Sequence, residues 1–198
     1  MFRRRFHFLS ICAIYFLLIS DLFASKVIIN SDLVLEIDGK KVFPIGFTLP
    51  PPVDGKAPNG KNAIRELSEA GVTFLRGGPA GVKWNAERFA AEKKVQDAAA
   101  EYGMHCWLNL REMASVNPGD IRGEEMLRKI ITTFRNHPGM GVYKGVDEPE
   151  WGDHPIAPMQ HTYEILKELD PNHPLVLIQA PRGPLESLKK YNPVCDII

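Results

Sequence analysis

The feature that most constrains the fold is a regular alternation of short β-rich runs with longer segments of helical spacing. From about residue 25 onward, apolar residues gather into strand-like runs, and the segments between them repeat with a helical period. Such alternation is typical of repeated βα units, in which parallel strands are joined by right-handed helical crossovers. The pattern therefore predicts an α/β fold built on a parallel sheet.

The runs can be assigned to individual elements. A β-rich lead-in at 27–37 and a turn at 38–41 precede six predicted strands, at 42–47, 72–76, 105–110, 141–146, 175–179 and 194–198. Predicted helices lie at 62–70, 86–102, 124–134, 159–169 and 185–191. Gly71 and Gly103 supply the expected stops for the first two helices.

Two architectures share this alternation. An open doubly wound sheet usually carries a Gly-rich phosphate loop after its first strand. Here residues 48–52 read Thr-Leu-Pro-Pro-Pro, which cannot present a row of backbone amides. We therefore predict a (β/α)8 TIM barrel over residues 25–198. It is expected to be incomplete, because about six of the eight strands are present.

The N-terminal residues differ from the rest of the chain. Arg3, Arg4 and Arg5 precede an apolar run at 8–19, and Ala24 offers a small residue for cleavage. The order predicts a signal peptide over 1–24 and a secreted or periplasmic protein. An uncleaved N-terminal membrane anchor is the alternative.

Charge and cysteine content limit the partners. Lys plus Arg and Asp plus Glu number 24 each, so no net field attracts nucleic acid or a membrane surface, and a neutral ligand is expected. Cys106 and Cys195 lie in apolar runs and are expected to be free thiols. No Cys/His cluster has zinc spacing, so neither a metal nor a cofactor is predicted.

Polar residues at the ends of the predicted strands are the candidates for chemistry, since barrel enzymes place catalytic groups there. The second strand ends at Arg76, the third at Asn109 and the fifth at Gln179. The fourth ends in Asp-Glu-Pro-Glu-Trp at 147–151. Because the residue before proline favours an extended conformation, Glu148 is predicted as a strand-end side chain, suited to general acid catalysis.

Residues 141–151, together with the opening at 38–47, resemble the large retaining clan of (β/α)8 glycoside hydrolases, which includes cellulases and β-galactosidases. The resemblance implies that Glu148 is the acid/base in the cleavage of O-glycosidic bonds of a poly- or oligosaccharide. Asp147 stands where the clan usually has Asn, and Arg76 matches by position an arginine that supports the catalytic carboxylates. The clan's nucleophile would lie beyond Ile198, so the chain is expected to be an N-terminal part, inactive alone.

Binding residues and rival functions complete the prediction. Asn109 and Gln179 are expected to bind sugar hydroxyls, and Trp151 to stack on a sugar ring. Trp107 is expected in the core, and Trp84 is a weaker platform. A non-catalytic carbohydrate-binding or degenerate barrel is the main alternative. A metal-dependent isomerase or amidohydrolase is another, although the amidohydrolase's His-x-His pair is absent at the end of the first strand.

Overall fold

The computed structural model describes residues 24–77, 83–180 and 182–198. Apart from Ala24, the predicted signal peptide lies outside these ranges. Within them, no helix combines the length and the apolar character needed to cross a membrane.

The β-rich lead-in forms a small antiparallel sheet of three strands, β1 (Val27–Ile29), β2 (Leu35–Ile37) and β3 (Lys40–Lys41). The tight turn between β2 and β3 is made by Asp38 and Gly39, which both have positive φ, at 50° and 76°. Glycine adopts this conformation without steric cost, which explains the Asp-Gly signal in the sequence.

Five parallel strands form the main sheet, in the order β4-β5-β6-β7-β8. Their bounds are β4 Gly46–Phe47, β5 Phe74–Arg76, β6 His105–Asn109, β7 Met140–Asp147 and β8 Leu175–Ile178. The first is much shorter than the predicted run at 42–47. Val42 instead donates its N–H to Leu35 O at 2.8 Å, which ties the start of that run to the lead-in sheet.

The five predicted helices are present, with bounds α1 Ala63–Glu69, α2 Ala86–Glu101, α3 Ile121–Phe134, α4 Ile156–Leu169 and α5 Leu185–Lys189. Gly71 and Gly103 follow the first two in left-handed conformations, as predicted. Helix α3 begins three residues before the predicted start, because the Asp120 side chain accepts from Gly123 N at 3.1 Å and caps it there.

The predicted sixth strand at 194–198 is wrong. Residues Asn192–Val194 form a 3-10 turn, and beyond it only Ile197 bridges to Val176 in parallel. The Asp196 carboxylate accepts from Leu175 N at 2.7 Å and so replaces a regular ladder contact. The sheet therefore has five strands and one bridge, which is part of a barrel.

The two faces of the main sheet have different neighbours. On the helix side, one cluster joins residues of β6 to β8 to α3 and α4, including Leu108, Leu127, Ile165 and Leu177. On the other face, which is the inner face of the barrel wall, Phe74 and Val142 pack against the lead-in residues Val27, Leu35 and Ile37. The lead-in sheet thereby closes the N-terminal end of the inner face.

Candidate active site

The C-terminal end of the inner face is polar. Nearer the N-terminal end of the same face, one residue of each of β5, β6 and β7 packs with the lead-in sheet: Phe74, Trp107 and Val142. Side chains two positions apart point to the same face of a strand. Two positions further along, each of these strands carries a polar residue on that face: Arg76, Asn109 and Lys144.

These residues open into a cavity of about 670 Å³. Its lining, among the described residues, is Arg76, Lys83, Asn109, Arg111, Glu112, Ser115, Lys144, Gly145, Val146, Asp147 and His154. The structure thus brings together three of the residues predicted from the sequence, Arg76, Asn109 and Asp147. It adds a group of charged residues that the sequence analysis missed.

Lys144 is the most deeply placed of the added residues. It is 4% exposed, and its Nζ lies 3.1 Å from Oδ1 of the more exposed Asp147. The strand register shifts between these two residues, which interrupts simple alternation. Burial lowers the pKa of Lys144, Asp147 opposes that effect, and the charges of Arg76 and Arg111 add to it. Sequence reasoning missed Lys144 because it lies inside an otherwise apolar strand.

The end of β6 is fixed by local hydrogen bonds. Asn109 Oδ1 accepts from Arg111 N at 3.0 Å, and Arg111 has a positive φ of 56° at the start of a 3-10 turn, Arg111–Ala114. Glu112 accepts from Trp84 N at 2.7 Å. The cavity wall on this side is therefore set by backbone contacts, which favours a preorganised site.

Glu148 lies next to the cavity but is not among its lining residues. The prediction that it stays extended is wrong, since its φ is +46°. The chain reverses at this point, because Glu148 N donates to Ile178 O at 2.7 Å and Glu148 O accepts from Gly152 N at 3.0 Å. A left-handed conformation at a non-glycine residue costs about 1–3 kcal/mol and often occurs at functional sites. Glu148 is partly buried at the rim, directly after Asp147.

The remaining predicted binding residues lie outside the lining. Trp151 is 65% exposed, and the Arg182 guanidinium lies 5.3 Å from its ring centroid. Both amide atoms of Gln179 are buried without a hydrogen-bond partner among the described residues. Trp84 is buried, and its Nε1 donates to Leu110 O at 3.1 Å, so its ring belongs to the core. The roles of Trp151 and Gln179 stay predictions.

Helix α2, close to the cavity in sequence and structure, carries a row of buried polar side chains. The buried residues of the helix include Arg88, Glu92 and Gln96. Gln96 Nε2 donates to Glu92 Oε1 at 3.0 Å, and burial raises the pKa of Glu92 to about 7. The Glu92 carboxylate packs against Gly77, where a Cβ would collide with it. A larger residue at 77 would therefore require the Glu92 side chain to move.

Comparisons with known proteins extend the picture at the level of the fold. No protein-family model matches the chain, and no curated protein matches it in sequence. Similar solved structures include a family 5 glycoside hydrolase mannosidase from Rhizomucor miehei, at 14% identity and a TM-score of 0.57 over 85% of this chain and 59% of that one.

Larger enzymes show the same likeness. A family 2 glycosyl hydrolase from Bacteroides cellulosilyticus matches at 15% identity and a TM-score of 0.57, over 87% of this chain. A β-glucuronidase from Parabacteroides merdae matches at 13% identity and a TM-score of 0.53, also over 87%. The chain spans 23% and 21% of their respective lengths. It has, in part, the barrel fold of these glycoside hydrolases.

Proposed function

We propose that this chain carries the acid/base half of a glycosidase site that cleaves O-glycosidic bonds of a poly- or oligosaccharide. The observation that supports the proposal most strongly is the polar cavity at the C-terminal ends of β5, β6 and β7, with the consecutive carboxylates Asp147 and Glu148 at its edge. Barrel enzymes bind and transform substrates at this end of the sheet. The similar solved structures are named as glycosidases, which agrees with this assignment.

Glu148 is assigned the acid/base role. Asp147 is held in an ion pair with Lys144, so its carboxylate already has a partner. Glu148 has no ion pair among the described residues, and its backbone is anchored on both sides by hydrogen bonds. It would protonate the leaving oxygen as the glycosidic C–O bond breaks, and later remove a proton from the attacking water.

A retaining mechanism needs a second carboxylate about 5 Å from the acid/base, to form a covalent glycosyl intermediate. We propose that this nucleophile comes from a part of the barrel beyond the five strands described. Arg76 would stabilise its charge, and Asp147 would orient the sugar. Asn109 and Gln179 would bind hydroxyls, and Trp151 would stack on a sugar ring.

The test uses azide as an external nucleophile in place of the second carboxylate. The chain is incubated with phenyl glycosides, whose leaving oxygen depends on protonation more than that of an activated phenol, with and without sodium azide, and release of phenol is followed by absorbance. In this reaction azide forms the C–N bond, the C–O bond breaks, and the acid protonates the leaving oxygen. We expect azide-dependent release that Glu148→Gln abolishes and Glu125→Gln, an exposed α3 position, leaves unchanged. Equal release from wild type and Glu148→Gln would refute the role of Glu148.

One observation favours a second candidate, a non-catalytic carbohydrate-binding barrel. Glu148 is outside the lining of the cavity, whereas the lining residues Arg76, Asn109 and Arg111 are well placed to hold a ligand. This alternative predicts sugar binding, no azide-dependent release in any variant, and the same affinity in Glu148→Gln as in the wild type. Calorimetric titration of both proteins with the same glycosides separates the two functions.

A further inference from the structure

The cavity carries a local excess of positive charge although the whole chain is neutral. Among its described lining residues, four are cationic and two are carboxylates: Arg76, Lys83, Arg111 and Lys144 against Glu112 and Asp147. The chain as a whole has formal charge zero. The excess therefore belongs to this site, and the expectation of a neutral ligand, which rested on the overall balance, does not follow for the cavity itself.

The two carboxylates offset only half of the positive charge, and one of them is in an ion pair. Asp147 pairs with Lys144 at 3.1 Å, and Glu112 accepts from the backbone N–H of Trp84 at 2.7 Å. Within the described ranges, the side chains of Arg76, Lys83 and Arg111 have no ion pair. Three cationic groups are thus left facing a common space.

The cations also act on one another. The charges of Arg76 and Arg111 both help to lower the pKa of Lys144, and both bear on the buried guanidinium of Arg88 behind the wall. Like charges held together in a partly desolvated cleft repel, and a cleft lined by one sign of charge focuses its potential. An anionic group placed among them would remove that repulsion and gain charge-assisted hydrogen bonds from arginine.

We propose that the cavity binds a sugar carrying an anionic group, a uronic acid residue or a sulfated sugar. The inference rests on the proposed function and specifies its substrate class. A cavity of about 670 Å³ falls within the range of small-molecule sites and holds a sugar of this size. Asn109 is the neutral residue among the three polar residues on the inner face, and it is placed to bind a ring hydroxyl beside the charged group. Arg111 and Lys83, two of the cations without an ion pair, are assigned to the anion.

The test measures binding by titration calorimetry with four probes: glucuronate, glucose 6-sulfate, glucose and inorganic sulfate. We expect one or both anionic sugars to bind at least about tenfold more tightly than glucose. The preference should fall as ionic strength rises, because exposed charges are screened. Arg111→Gln and Lys83→Gln should each remove most of the preference, whereas Arg122→Gln, at an exposed α3 position, should retain it.

The outcomes separate this inference from the proposed function. Preference for glucuronate alone identifies a carboxylate site, and preference for glucose 6-sulfate alone identifies a sulfate site; either supports the inference. Equal binding of glucose and the anionic sugars overturns it but leaves the glycosidase assignment intact. Binding of inorganic sulfate as tight as that of the anionic sugars also overturns it. Circular dichroism checks that each variant is folded, and the exposed Lys83→Gln decides the question if Arg111→Gln is unfolded.

Discussion

Replacing Glu92 by glutamine should change how the stability of the protein depends on pH. Glu92 is fully buried on α2, bonded to Gln96 and packed against Gly77. Burial raises its pKa from an ordinary value of 4.5 to about 7, with Gln96 and Arg88 opposing the shift. Glutamine keeps the shape and a hydrogen-bonding oxygen but cannot ionise.

The direction and size of the effect follow from proton linkage. Below pH 4.5, Glu92 is protonated in both the folded and the unfolded protein. Between pH 4.5 and about 7, the folded protein keeps a proton that the unfolded chain has released, so stability falls as pH rises. Each tenfold change in proton affinity corresponds to about 1.4 kcal/mol, so the full loss is about 3 kcal/mol and is complete above pH 7.

The assay is urea unfolding of wild type and Glu92→Gln at a series of pH values from 4.5 to 8. The free energy of unfolding of wild type minus that of the variant should fall by about 3 kcal/mol across this range. Other titrating groups and any fixed cost of the substitution cancel in the slope. Glu125→Gln should give a flat difference. A flat difference for Glu92→Gln would show that its carboxylate does not carry the burial cost assigned to it.

Two further substitutions test the packing. Tyr143→Phe should lower the free energy of unfolding by about 1–3 kcal/mol in urea unfolding, because the Tyr143 hydroxyl donates to the buried Asp170 carboxylate at 2.8 Å; no change would contradict that hydrogen bond. Gly141→Ala should lower the free energy of unfolding by about 1–3 kcal/mol or more, because the added Cβ would lie 2.5 Å from the Phe74 ring. Gly46→Ala serves as the control, because the atoms nearest to its added Cβ lie 3.6 Å away. Equal thermal midpoints for the two alanine variants would count against the packing described.

The sequence predicted the order and type of the main elements because their signals are local. Gly71 and Gly103 end α1 and α2 as expected, and the apolar runs of β6 and β7 match strands within one or two residues. The predictions failed where contacts between residues distant in sequence determine the structure. The run at 42–47 is divided between two sheets, because Val42 N donates to Leu35 O of the lead-in sheet. The run at 194–198 forms only one bridge, because the Asp196 side chain accepts the hydrogen bond from Leu175 N of β8.

The candidate site divides in the same way. Arg76, Asn109 and Asp147 could be predicted because parallel strand ends meet at one edge. The sequence did not predict Lys144 or the buried polar residues of α2. Charged residues in a strand or along a helix are usually exposed to solvent, and here they are buried. The backbone of Glu148 escaped prediction because its left-handed turn depends on contacts with β8 and with Gly152.

The lead-in sheet limits the routes by which a ligand can reach the site. By packing Val27, Leu35 and Ile37 against Phe74 and Val142, it blocks the N-terminal end of the inner face with apolar side chains. A polar ligand cannot travel along the inner face to leave at that end without breaking this cluster. Of the two ends of the inner face in the described strands, the C-terminal end is therefore the one open to a ligand, and a ligand bound there hinders the entry of the next one.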